Sequence, residues 1–375
     1  MNTIRQITGL FLCNLLGYHT KRHIVVLESD DWGAIRMPSL EVFKALRQQG
    51  VSLSDKGGYN VYDTLASNDD LELLMDVLSS VQDAYGNPAK ITFNCCVANP
   101  DFEKIRENDF QEYFYEPFSE TLKRYPHHDR SFALWKEGIG KRMFQPQFHG
   151  REHLNASMWM QLLRRNVEPV RKAFEKEVFC MEIEKNIDPR PHALAAYNVS
   201  SKDDYGFARK SVKEGLDLFE KLFGFRSLTM IAPNYTWDKE IEEVAWQNGI
   251  RIMQGGHVQR PSYYGKNHGG KYKRRYTGQK SSNFPLKYTV RNCEFEPSYR
   301  AYMNADYCMK EIESAFRFRT PAIVSCHRVN FIGDLNPTNR DNNLRDFKRL
   351  LQMIVKKYPD VEFMSSDELG KMIMA

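Results

Sequence analysis

The 375-residue chain has no run of 18 apolar residues, no CxxC pair, no internal repeat and no large excess of either charge. Each absence removes a class. Without the long apolar run, no transmembrane helix is expected. Without CxxC, a cysteine-built zinc site is not expected. The seven cysteines are scattered and odd in number, which suits free thiols in a reducing, cytoplasmic compartment rather than a disulfide framework. Lys plus Arg (53) against Asp plus Glu (48) leaves a net charge of only +5, and no recognition motif for nucleic acid occurs, so a nucleic-acid partner is not expected. A hydrophobic fraction of 42% supplies a sizeable core and excludes disordered or fibrous material.

The N-terminal segment, residues 1–22, carries a short apolar stretch from Ile7 to Leu16, interrupted by Asn14 and followed by no small-residue cleavage pattern. It reads as an amphipathic helix, with an export or membrane-associating segment as the alternative. Residues 23–375 read as one domain.

From there on, β-branched or apolar runs alternate with helical patterns. Strands are expected at His23–Leu27, Ile91–Val97, Met143–Phe148, Ser227–Ile231, Ile250–Met253, Leu286–Arg291, Ala322–Cys326 and Val361–Met364. Pro146 predicts a bent or edge position for the third. Helical patterns follow Pro38, Asn68, Asn155 and Asp238. Others cover Asp204–Phe223, which Gly224 stops, Met303–Phe316 and Leu344–Lys357. A charged stretch from Val167 to Glu184 also reads as helix. This rhythm points to an α/β protein, a distorted (β/α) barrel of about seven strands, with insertions at about 100–140, 160–200 and 254–287.

Three polar clusters fall at the C-terminal ends of expected strands, where α/β barrels build their active sites. They are Glu28-Ser29-Asp30-Asp31, His149-Gly150-Arg151-Glu152-His153 and Cys326-His327-Arg328. Imidazoles four positions apart can share one face of a helical turn and hold one zinc ion, with Zn–N near ~2.0–2.1 Å; a carboxylate would complete the set. By itself HxxxH equally describes two surface histidines. Adjacent aspartates at a strand end point to opposite faces, so one can reach a metal while the other faces a reacting water. They equally suit a solvated turn or a helix cap before Pro38. Arg151, Glu152 and Arg328 either orient the neighbouring ligands or are surface charges.

Taken together, the chain resembles the polysaccharide deacetylase (NodB-homology, carbohydrate esterase family 4-like) superfamily. Leu27-Glu28-Ser29-Asp30-Asp31 matches its strand-then-DD motif, His149 and His153 its H-x-x-x-H motif, and Ile323-Val324-Ser325-Cys326-His327 its final strand ending in histidine. Val361 to Leu369 is similar to the closing strand and short helix. The resemblance implies a divalent metal, zinc by preference, on Asp31, His149 and His153. It implies Asp30 as general base, His327 as acid to the leaving amine, and a backbone N–H near Asn234 or Tyr235 facing the oxyanion. Arg151 and Arg328 are carried as substrate-orienting candidates. A histidine exposed to solvent and titrating near ~6.5 would suit the acid role. Two departures stand out. Trp32 intervenes between DD and Gly33, and Ile231-Ala232-Pro233-Asn234-Tyr235 lacks the arginine that orients the catalytic aspartate. Without that cation, Asp30 is expected to keep a higher pKa, and activity to rise with pH over a wider range.

Between residues 254 and 287 lies a glycine-rich loop bearing Lys266, Lys271, Lys273, Arg274, Arg275 and Lys280 among Tyr263, Tyr264, Tyr272 and Tyr276. It is either a solvated loop or a holder of an anionic carbohydrate, such as a nucleotide-linked or lipid-phosphate-linked sugar. The function these features favour is removal of N-acetyl groups from a sugar or glycan. The alternatives are a catalytically silent glycan-binding barrel, which the missing arginine supports, and an amide hydrolase acting on another acyl group.

Overall fold

The structure, a computed structural model, describes residues 13–262 and 271–375. Its main sheet is built from β1 (Ile24–Trp32), β2 (Ile91–Cys96), β3 (Phe144–Gly150), β4 (Thr229–Ile231), β5 (Ile252–Gly255), β6 (Lys287–Val290), β7 (Cys293–Glu294), β8 (Ala322–His327) and β9 (Glu362–Met364). The strand order is β6-β5-β4-β3-β2-β1-β8-β7, with β9 on the first residues of β1, and every pairing is parallel. All nine residues of β1 are buried, as a parallel strand covered on both faces should be. All eight expected strand regions form. The two edges of the sheet are one chain segment: β6 pairs with β5, β7 pairs with β8, and only Arg291 and Asn292 separate them. The Arg291 N–H still donates to Gly255 O (3.0 Å), and the next N–H, of Asn292, donates to Ile323 O (3.1 Å). The sheet thus curls into a distorted (β/α) barrel whose seam is a single strand changing partners.

Helices cover the outside: α1 (Leu40–Gln48), α2 (Asn68–Ser79), α3 (Ala156–Arg164), α4 (Lys202–Phe223), α5 (Lys239–Gln247), α6 (Ala305–Arg317), α7 (Pro337–Lys357) and α8 (Ser366–Met374). Their ends follow side-chain chemistry. The Ser201 hydroxyl accepts from Asp204 N to open α4, and Gly224, at φ 78°, closes it. Starting at Pro337 after the Asn336 cap, α7 is longer than the apolar pattern from Leu344 shows.

Three local expectations are corrected. Despite Pro146, β3 lies inside the sheet, between β2 and β4. This is tolerated because β4 is short and pairs with β3 only at Phe148–Met230, so no ladder bond is demanded of Pro146 on that side. Side chains complete the contact: Ser227 Oγ takes the Phe148 N–H (3.0 Å) and Gln147 Oε1 takes the Thr229 N–H (2.9 Å). The charged stretch 167–184 is helical only over Glu168–Phe174; Glu177, at φ 56°, turns the chain out of the helix. Residues 254–287 are not one loop, since Val258–Gln259 and Lys273–Arg274 form an antiparallel pair. The stretch expected as an insertion at 100–140 holds a short hairpin and helices. Of the N-terminal segment, residues 1–12 lie outside the described residues. Asn14 is buried, with its Oδ1 accepting from Asn292 Nδ2 at the seam (2.8 Å). Among the described residues no helix is long and apolar enough to cross a membrane.

Helix α4 sits directly behind β3, and Gly215 sets their separation. A Cβ there would lie 2.7 Å from the Phe148 ring and 2.9 Å from Arg151 Cβ. Gly215→Ala should therefore destabilise the fold by about 1–3 kcal/mol through overpacking, seen as a lower urea midpoint at unchanged slope. An unchanged midpoint would mean that α4 is free to move away.

Candidate metal centre

The C-terminal ends of β1, β3 and β8 open into one cleft of about 690 Å³, lined by Asp30, Asp31, His149, His153 and His327 among others. Asp30 and Asp31 do not alternate across the strand. The register of β1 against β2 shifts between Ser29 and Trp32, and Asp31 adopts φ 72°, a left-handed conformation that aspartate tolerates better than most residues. This bulge turns both carboxylates to the same cleft. Trp32, the apparent interruption of the DD-Gly pattern, anchors the bulge. Its ring stacks on Phe93 (centroids 3.6 Å apart), and its indole N–H donates to Ser29 Oγ (2.8 Å). Gly33 must be glycine, since a Cβ would lie 2.2 Å from Cys96 O.

The two histidines do not share a helical turn either. His149 belongs to β3, the chain swings at Gly150 (φ 119°), and His153 lies in irregular chain before α3. Their rings still meet, with centroids 5.1 Å apart. Asp31 Oδ1 is 3.4 Å from His149 Nε2 and 3.3 Å from His153 Nε2. His149 Nδ1 lies 2.9 Å from Ile231 O. A carbonyl only accepts, so Nδ1 carries a proton, and Nε2 is the ring nitrogen turned towards Asp31. That Nε2 is buried without a hydrogen-bond partner. Burial pushes the His153 pKa down to about 3. Burial would raise the Asp31 carboxyl, but the His153 ring, Arg36 and the His149 ring outweigh it and hold it well below its usual range. Arg36 Nη2 engages Asp31 Oδ2 at 3.1 Å, leaving Oδ1 to the histidines. Two imidazoles and one carboxylate, with ligand atoms all within 4.8 Å of one another, fit a tetrahedral divalent cation such as zinc.

An arginine does reach Asp30, from the two-residue seam between β6 and β7. Arg291 clasps Asp30 through Nη1–Oδ2 (2.7 Å) and Nη2–Oδ1 (2.5 Å), while its Nε engages Glu28 Oε2 (2.7 Å). Asn94 Nδ2 donates to Asp30 Oδ1 as well (2.8 Å). Burial raises the Asp30 pKa, but Arg291 overcomes this and lowers it to about 2, the reverse of the higher value expected without the arginine. Arg291 was legible only as the polar residue ending an expected strand; nothing in the sequence ties it to Asp30.

His327 ends β8 with its side chain one quarter exposed, not open to solvent. Its Nδ1 lies 2.5 Å from Glu296 Oε1 and its Nε2 3.9 Å from Asp30 Oδ2. Burial would lower its pKa, but Glu296 raises it to about 9, well above the expected ~6.5. Asn234 and Tyr235 line the cleft, both at positive φ. The Tyr235 N–H is already engaged by Ala232 O (2.9 Å), and its hydroxyl accepts from Arg291 Nη1 (3.2 Å).

Arg151 and Arg328 do not reach the cleft. Arg151 is buried behind β3, pairs with Glu152 (2.5 Å) and Glu214, and lies 4.1 Å from the Tyr115 ring centroid. Arg328 is fully buried against Asp63 (2.9 Å) and Ala34 O (2.7 Å). Asp63 also binds Arg36 (3.2 Å), so Arg328 acts on Asp31 only through Asp63 and Arg36. In the basic stretch, Lys266, Tyr263 and Tyr264 lie outside the described residues. Arg275 is no free cation: it donates to Gln259 (2.6 and 2.9 Å) and lies 3.9 Å from the Tyr288 ring centroid.

No family model and no curated protein matches the chain. Among solved structures it is similar to a probable polysaccharide deacetylase from Pseudomonas aeruginosa PAO1, at 10% identity, covering 94% of this chain and 91% of that one with a TM-score of 0.44. It is also similar to Puue allantoinase, at 10% identity, 94% and 91% coverage and a TM-score of 0.45. A third similar structure is 4-alpha-glucanotransferase from Thermococcus litoralis, at 9% identity and a TM-score of 0.46; 92% of this chain aligns, spanning 40% of that one. These likenesses concern the fold.

The Asp30–Arg291 pair makes stability depend on both partners together. Arg291→Met should destabilise by about 3–5 kcal/mol, because it strands buried carboxylates, and Asp30→Asn in the same chain should restore part of that. The Asp30 contribution should be complete above its unfolded pKa of ~3.9 and lost as pH falls towards about 2. Additive losses in the double-mutant cycle would show that the pair is not coupled.

Proposed function

We propose that this protein is a metal-dependent amide hydrolase that removes N-acetyl groups from a sugar or glycan. The observation that carries the reading is the convergence of Asp31 Oδ1 with His149 Nε2 and His153 Nε2, beside an ionised aspartate and a charged histidine. Asp31, His149 and His153 would hold the metal, zinc by its donor set. When bound, the metal supplies Lewis acidity that polarises the acyl carbonyl and makes a water molecule a better nucleophile. Residues 23–375 would form the single catalytic barrel domain with its insertions.

The protein's own groups complete the reaction. Asp30, fixed by Arg291 and Asn94, is ionised at neutral pH and takes a proton from the attacking water. As the carbonyl oxygen gains charge, the Asn234 N–H would meet it rather than that of Tyr235, which is engaged by Ala232 O. His327, protonated below about pH 9, gives its proton to the departing amine nitrogen as the C–N bond breaks. Base and acid thus stand in the required states together. The lack of an arginine near Pro233 was the main support for a silent glycan-binding barrel, and Arg291 removes it. An acyl group other than acetyl remains the alternative within the same chemistry.

Purified protein should bind zinc stoichiometrically and release acetate from an N-acetylated sugar. His149→Ala or His153→Ala should bring zinc to background, whereas Asp30→Asn should keep the metal and lose turnover by roughly 10²–10⁴-fold. Full zinc retention in both histidine variants would refute the site. The alkaline limb of activity should follow His327, falling as pH rises past its pKa. Glu296→Gln removes the carboxylate that raises that pKa, so the limb should move to lower pH; an unmoved limb would exclude His327 as the acid.

A further inference from the structure

Four carboxylates and three guanidinium groups line the cleft. Three of the carboxylates are engaged: Asp30 by Arg291, Asp31 by Arg36 and Glu296 by His327. The fourth, Glu294, forms no ion pair among the described residues; burial and Glu296 raise its pKa, against Arg300. Arg36 is divided between Asp31 and Asp63. The two remaining cations, Arg260 and Arg300, form no ion pair among the described residues. Arg300 donates to the Tyr302 hydroxyl (2.9 Å), lies 5.0 Å from the Tyr299 ring centroid and is near enough to Glu294 to act on its charge.

Both are tied by their backbones to turns that carry the reacting groups. The Arg260 N–H donates to Tyr235 O (2.8 Å), beside Asn234, and the Arg300 N–H donates to Glu296 O (2.9 Å), the residue that charges His327. A cleft with three of its four acids engaged by partners, and a rim that keeps two guanidinium groups outside any ion pair among the described residues, is complementary to an anion. Guanidinium forks match both phosphate and carboxylate geometry. We propose that Arg260 and Arg300 hold an anionic substituent, phosphate or carboxylate, of the substrate. That the substituent rides on a sugar rests on the function proposed above; the anion site itself does not. This moves the source of anion recognition from the basic stretch 266–280 to the cleft.

Calorimetry on the zinc-loaded wild-type protein can test this with ligands that carry no amide: glucose, glucose 1-phosphate and glucuronate. At low salt one or both charged sugars should bind roughly tenfold or more tightly than glucose. Phosphate preferred over glucuronate would identify a phosphorylated substrate, and the reverse an acidic sugar. The advantage should shrink with added salt and collapse in Arg260→Gln or Arg300→Gln. Equal affinity for all three, or binding of none, would overturn the inference. So would an advantage that survives both substitutions, since the anion would then sit on the metal or elsewhere. Acetate release from neutral N-acetylated sugars with no anion preference would overturn this inference alone and leave the hydrolase reading intact.

Discussion

A guanidinium buried between two carboxylates sits at the point on which the rest of the molecule depends. Arg291 occupies the two-residue seam where the strand leaves one edge of the sheet and joins the other, and there it binds both Glu28 and Asp30 of β1. Glu28 in turn accepts from Ser366 at the start of α8 (2.8 Å), and Ser366 N donates to Thr92 on β2 (2.9 Å). Closure of the barrel and ionisation of Asp30 are therefore one feature. Burying these charges is costly, and apolar packing could close a seam at least as well. A carboxylate that must stay charged under a cleft gives a reason for the arrangement.

A second buried chain of charges does for Asp31 what Arg291 does for Asp30. Arg328, Asp63 and Arg36 follow one another to Asp31 Oδ2, which leaves only Oδ1 facing the two imidazoles. The adjacent aspartates thus receive different tasks from different cations. One is clasped through both oxygens and stays an ionised acceptor. The other is held by one oxygen and turns the second to the two imidazoles. The bulge makes this division possible, because an unbroken strand would have sent one of them to the opposite face. Backbone strain of this kind is tolerated where the surroundings over-determine it, and the Trp32 stack and the Gly33 contact do so here.

What the sequence determined by itself is what lies close along the chain. The β-branched runs placed all eight strand regions, and capping residues such as Asn155 and Asp238, with Gly224 as a stop, bounded helices, because these signals act over a few residues. Polar groups at strand ends singled out Asp30, Asp31, His149, His153 and His327, which line one cleft. What only the tertiary structure decided depends on partners far apart in sequence. Asp30 and Arg291 are separated by 261 positions, so neither the cation nor the lowered pKa could be read locally. Glu296 lies 31 positions from His327, and its carboxylate turns an ordinary imidazole into a charged one. Pro146 was read as an edge signal because its missing N–H is local, whereas the short neighbour β4 that makes it harmless is not. Arg151 and Arg328 sit beside functional residues in sequence yet point into the core, since adjacency along an irregular strand end does not fix direction. Residue type and spacing named the candidate groups; the long-range ion pairs, visible only once the sheet has closed, set their charge and orientation.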